Sequence, residues 1–145
     1  MRNLVIALAL AIAVVAVVLL VNTGGDDAPE TAVDVAGNAE TEMVAVTVPL
    51  LEGQAAEGRI AYVKSCAGCH GPNAGGLEGL APPLVHKIYE PSHHGDQAFY
   101  LAALQGVRAH HWDFGDMPPV EGVTEAEIVQ IVAFIRTLQV ANGID

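Results

Sequence analysis

The chain opens on 18 consecutive apolar residues, Leu4 to Val21, unbroken by a charge, a glycine or a proline. As a helix rising ~1.5 Å per residue this block is about 27 Å long, just enough to cross a bilayer core of ~30 Å. It exceeds the roughly 7–15 apolar residues of a cleaved signal, and Val21-Asn22-Thr23-Gly24 makes a poor cleavage site. Residues 1–21 are therefore expected to be an uncleaved transmembrane anchor, with a cleaved signal as the alternative. Arg2 and the α-amino group precede the block, and Asp26 and Asp27 follow it. The positive-inside rule then puts the N-terminus in the cytoplasm. The expected arrangement is single-pass in the inner (cytoplasmic) membrane, with the rest of the chain periplasmic.

Residues 22–50 mix Gly, Pro, Thr and acids without a sustained period of 2 or 3.6, and read as a flexible acidic linker. Only Val44 to Val48 has the look of a short extended piece. From residue 51 the pattern changes. Gln54 to Ser65 reads as a helix with Ala55, Ala56, Ile60, Tyr62 and Val63 as its apolar positions. Gly71 to Gly95 is rich in Gly and Pro, the mark of a long loop. Asp96 to Gln105 reads as a second helix, with Asp96 as N-cap and Gly106 as stop. A loop from Val107 to Val123 leads to Thr124, whose Glu three positions on, Glu127, completes a capping box. It opens the best helical pattern in the chain, Glu125 to Gln139, with Ile128, Ile131, Val132, Ile135 and Leu138 at helical spacing, ended by Asn142-Gly143. No strand pattern or internal repeat is visible. The expectation for 51–145 is one all-α domain of three or more helices, with loops wrapped around something.

Charge and composition narrow the function. The formal net charge is −11, from 6 basic and 17 acidic residues, which argues against nucleic acid, whose binding needs clustered Lys and Arg. An acidic surface instead suits a protein partner with a basic docking face. Aromatics make up only 5% of the chain, so a small core here would gain from a buried cofactor.

The chemistry lies in Cys66-Ala67-Gly68-Cys69-His70. C-x-x-C alone suits a redox dithiol or half a zinc site. A dithiol motif needs a βαβ context and a zinc site needs a second ligand pair, and neither pattern is present. C-x-x-C-H is the attachment sequence for one covalent haem c. Two thiols on one helical turn reach the two vinyl groups, and the next residue, His70, turns a neutral imidazole to the iron. For the other axial position the methionine candidates are Met43, in the linker, and Met117. The latter sits in Gly115-Asp116-Met117-Pro118-Pro119, where prolines stiffen the loop. His110 and His111 are rivals, followed by His86, His93 and His94. A soft thioether would raise the potential relative to a second imidazole. The histidine pairs 93-94 and 110-111 read as exposed loop residues rather than a second metal site, and Trp112 reads as packing on the haem wall or its propionates.

With these residues the chain resembles the class I cytochromes c, over residues 54–140. Gly58 and Tyr62, eight and four positions before Cys66, look like the family's close crossing of the first and last helices, with Ile131 and Phe134 receiving them. Ala81-Pro82-Pro83-Leu84 is similar to the loop in which the first proline's carbonyl, here Pro82, accepts a hydrogen bond from the proximal histidine. Gly115-Asp116-Met117-Pro118 is similar to the family's methionine loop. His110-His111-Trp112-Asp113-Phe114 departs from the general pattern and is similar to a subset of bacterial mono-haem proteins. The resemblance implies a small cytochrome c fold, with His70 and Met117 on the iron and Cys66 and Cys69 as thioethers. The role expected from the haem motif and the anchor together is electron carriage between membrane-bound or periplasmic redox proteins in a respiratory chain, with no small-molecule substrate and no catalysis of its own. The alternatives are a subunit of a larger oxidase, reductase or dehydrogenase, and a haem-based ligand sensor.

Overall fold

The computed structural model describes residues 42–145. The apolar block 4–21 and most of the expected linker lie outside the described residues. Among the described residues no helix is long and apolar enough to cross a membrane.

Among the described residues four helices follow in order: α1 (Gly53–Ser65), α2 (Ala67–His70), α3 (Asp96–Gln105) and α4 (Glu125–Ala141), with a 3-10 turn at Lys87–Tyr89 between α2 and α3. Strand-like pairing among the described residues is confined to isolated bridges. The all-α pattern read from the sequence is present, with α4 two residues longer than its periodicity predicts. The capping box forms as spaced: Thr124 Oγ1 accepts from Glu127 N at 3.2 Å, and the Glu127 carboxylate accepts from Thr124 N at 2.8 Å. Each bond satisfies an amide that the first turn leaves unpaired.

The main helix pair is α1 against α4. Gly58 makes the crossing close: a Cβ there would lie 1.9 Å from Gln130 O and 3.0 Å from Phe134 Cβ. One turn on, the rings of Tyr62 and Phe134 meet at 5.1 Å, tilted by 52°. Both are fully buried and join Ala61, Ile131, Ile135 and Leu138 in the core. Burying side chains of this size contributes roughly 1.5–3 kcal/mol each. Two expectations change. Ile60, counted among the apolar positions of α1, is 75% exposed; the buried face is Ala55, Gly58, Ala61 and Tyr62. Asp96 is not a cap: Gly95 holds that place, and the Asp96 carboxylate accepts from Arg136 Nε at 2.7 Å.

Residues 42–50 also differ from a flexible linker. Met43 N and Val44 N donate to Gly76 O and Gly75 O, both at 3.0 Å. Thr47 exchanges two backbone bonds with the Asn142 side chain, each 2.9 Å. Val46 and Val48 pack on the core. Alternating valines supply the apolar contact, and the carbonyls of a Gly-rich loop, bare of side chains, supply the acceptors. Glu42 then reaches into that loop, its carboxylate accepting from Asn73 N at 2.7 Å and Gly75 N at 3.2 Å.

Candidate functional site

The end of α1 leads directly into the C-x-x-C-H segment. Cys66 N donates to Tyr62 O, His70 N to Cys66 O and Gly71 N to Ala67 O, at 2.8, 3.0 and 3.0 Å. This one-turn helix puts both cysteines and His70 on the same cavity wall. Its exit is pinned by the Tyr62 hydroxyl, which donates to Gly71 O at 2.8 Å. The anchor is a phenol whose ionisation burial pushes well up, so it stays a donor.

Burial pushes the Cys66 thiol up to about 11, with Cys69 adding to the effect. A poised redox dithiol needs the opposite, a stabilised thiolate. His70 is buried, and desolvation lowers its pKa while its bond to Pro82 works against the shift. Its Nδ1 lies 2.9 Å from the Pro82 carbonyl oxygen. With Nδ1–H donating there, Nε2 is left as a free, neutral lone pair, the form that binds a metal.

The cavity holds about 620 Å³, within the roughly 300–1,000 Å³ of cofactor sites. Cys66, Cys69, His70 and Pro82 line it from the C-x-x-C-H side, and α3 contributes Ala98, Phe99 and Ala102. Trp112, Phe114 and Met117 line it from the loop before α4, with the rings of Trp112 and Phe114 stacked 5.8 Å apart. Met117 is fixed by its backbone, since it and Val107 exchange two N–H···O bonds of 2.9 Å. Asp116 braces the same loop by accepting from Ala109 N at 2.8 Å. Of the other candidates for the second axial position, His94, His110 and His111 also line the cavity; Met43, His86 and His93 do not.

These residues fit a haem. Two thiols, one neutral imidazole and one thioether converge on one apolar chamber, a donor set suited to iron in a covalently held porphyrin. Trp112 Nε1 is buried without a hydrogen-bond partner. A buried indole N–H normally finds an acceptor, and a carboxylate-bearing cofactor supplies one.

Three supporting residues escaped the sequence reading. Arg136 Nη1 donates to Tyr89 O at 2.7 Å and to Gln139 Oε1 at 2.5 Å, Nη2 donates to His94 O, and the guanidinium lies 4.8 Å from the Phe99 ring centre. Gln139, fully buried, donates to Leu84 O and Tyr89 O at 2.8 and 3.1 Å. Together they hold the 84–95 loop and the start of α3 against α4. Their signal was a polar pair three apart on the most apolar helix, which places both on one face. Glu42 had no local signal.

The model of the family described as Cytochrome c matches residues 55–139. No curated protein matches the chain.

Proposed function

Because the chain belongs to the cytochrome c family, and so carries haem c and its iron covalently, we propose that it moves single electrons with His70 and Met117 as the two axial ligands. A cytochrome c domain is in general a haem-based electron carrier. The observation that carries the ligand assignment is that His70 and Met117 line one cavity and are each held by main-chain bonds, from Pro82 and from Val107.

Haem c supplies the one-electron Fe(III)/Fe(II) couple. Cys66 and Cys69 tether it. His70 is held with Nε2 free by the Pro82 carbonyl. The Met117 thioether, soft and uncharged, favours the reduced state over what a second imidazole would give. Phe99, Trp112, Phe114, Ile131 and Ile135 exclude water, so little solvent reorganises when the charge changes. With His70 and Met117 both holding the iron, the protein would leave no open position for a substrate.

We extend the reading to the cell. The apolar block 4–21 serves as a single-pass anchor in the inner membrane, with the haem domain on the periplasmic side. The net charge of −11 favours redox partners with a basic docking face. Fractionation of the full chain with the membrane, released by detergent and not by salt, checks the anchor.

The test of the ligand set is an optical spectrum of oxidised and reduced protein beside Met117→Ala. The expected wild type is low-spin with the weak far-red sulfur-to-iron band, and the variant loses that band. A wild type without it, or a variant unchanged, assigns the position to a histidine or to no protein atom and overturns the reading.

A further inference from the structure

The two histidine pairs, which the sequence alone leaves as separate exposed loop residues, come together. His93 and His94 stand just before α3; His110 and His111 stand in the loop that carries Met117. Nitrogens of His93, His94 and His111 all lie within 4.8 Å of one another. From this geometry we propose that His93, His94 and His111 form a second metal site, for a late divalent transition-metal ion such as Zn2+ or Cu2+, distinct from the haem iron.

Three features carry it. The first is distance: His93 Nε2 and His111 Nε2 are 3.3 Å apart. Two nitrogens bound tetrahedrally at ~2.05 Å from Zn2+ stand about 3.3 Å apart, so this pair already has the span of two ligands. The second is tautomer. His94 Nδ1 is 2.8 Å from Ile88 O, so Nδ1 carries the proton and Nε2 keeps its lone pair. A carbonyl behind a ligating imidazole in this way is the usual outer shell of a histidine metal site. His110 is set up alike, with Nδ1 2.8 Å from Arg108 O and its ring 4.2 Å from that of His111. The third is rigidity. His94 O accepts from Arg136 Nη2, the His94 ring packs 5.1 Å from Tyr89, and Asp116 holds Ala109 N next to the other pair. Both backbones are therefore fixed before any ion arrives.

Donor chemistry favours the same outcome. Metal binding needs neutral imidazoles. Three of them suit Zn2+ and Cu2+ better than Mg2+ or Ca2+, which prefer oxygen. An ion here ties the loop before α3 to the loop bearing Met117, beside the haem cavity that His94, His110 and His111 also line.

The inference rests on Met117, and not an imidazole of this cluster, serving the iron. The far-red band measured on the same samples checks that separately. The experiment is calorimetric titration of Zn2+ into the oxidised, haem-loaded full chain, wild type against His93→Asn and His111→Asn. Both side chains are exposed, so the variants should fold, and an unchanged far-ultraviolet dichroism spectrum verifies it. His94 is left in place because its ring packs on Tyr89. The expected result is one Zn2+ per chain, with affinity at least about tenfold weaker in each variant. No saturable binding, or equal affinity in all three proteins from adventitious carboxylates, overturns the site.

Discussion

The carbonyl oxygen of Met117 lies 2.5 Å from where a side chain on Gly106 would begin. Gly106 ends α3 at φ +76° and hands the chain to Val107, which pairs with Met117 through two 2.9 Å bonds. One glycine thus serves two needs at once: a left-handed turn that stops the helix, and bare space into which the methionine loop fits. The position of the thioether is set from behind by the absence of a methyl group.

Gly106→Ala should therefore disturb the iron's ligand set without touching it. An alanine at φ +76°, ψ 177°, a backbone region that essentially only glycine adopts, costs on the order of 1–3 kcal/mol, and the contact with Met117 O adds to that by pushing the loop away. The expected outcome is a weakened far-red band and a lower midpoint potential in protein that still holds haem. A spectrum and potential equal to the wild type would show that the loop tolerates the shift and that Gly106 acts only as a helix stop.

Arg136 should matter through its shape more than its charge. Its ion pair with Asp96 is on a residue whose side chain is 72% exposed, and exposed pairs contribute little, ~0–1 kcal/mol. The bonds to Tyr89 O, Gln139 Oε1 and His94 O are shielded, and hydrogen bonds to a charged group are worth about 1.5–3 kcal/mol. Arg136→Met is expected to lower stability by about 3 kcal/mol, and Asp96→Asn by less than about 1 kcal/mol. Arg136→Lys should recover little of the loss, because an ammonium lacks the planar fork that reaches three acceptors. Urea midpoints of the three variants decide this; equal losses in Asp96→Asn and Arg136→Met would assign the effect to the ion pair.

What the sequence disclosed and what it withheld divide by range. The capping box, the helical face of Ile128, Ile131, Ile135 and Leu138, and the C-x-x-C-H turn depend on residues a few positions apart, and all three form as spaced. The cradle around His70 and Met117 was legible only through family resemblance, because Pro82 and Val107 are placed by folding and not by spacing. Long-range polar contacts left no mark. Glu42 meets Asn73 across 31 positions and Arg136 meets Tyr89 across 47. Ile60 misled because helical periodicity alone does not say how narrow a face the partner helix covers. The meeting of the four histidines left no mark either, because two unremarkable dipeptides, 17 positions apart, converge only in three dimensions.

Gly58→Ala offers a test in which the sign alone decides. In an open helix, alanine is better than glycine by about 1 kcal/mol, so an uncrowded site would gain stability. Here the new methyl would start 1.9 Å from the Gln130 carbonyl oxygen, a backbone atom that moves only if α4 does. Overpacking of a close helix crossing costs about 1–3 kcal/mol and occasionally more. The expected net change is a loss of about 2 kcal/mol or more by urea denaturation. Because Tyr62 and Phe134 pack one turn further on, near-ultraviolet dichroism should change with it. A stabilised variant would mean that α1 and α4 cross less closely than described.

Acid should weaken the protein partly through Glu127, and the direction follows from its partners. Its carboxylate accepts from Thr124 N and Thr124 Oγ1, both at 2.8 Å, and from Lys64 Nζ at 3.3 Å. All three favour the charged form, led by the Thr124 backbone bond, and bring its pKa down to about 2. In the unfolded chain a glutamate titrates near ~4.3. The native state therefore binds this proton less readily than the unfolded state does. Its contribution is complete above the unfolded value and drains away as pH falls towards 2. Glu127→Gln keeps an acceptor for the cap but cannot titrate. The variant should be less stable than the wild type at pH 7, and the gap should narrow steadily from pH 4.5 to pH 2.5. Urea midpoints taken across that window check it. A gap that stays constant would place the acid sensitivity on other carboxylates and leave Glu127 a neutral cap.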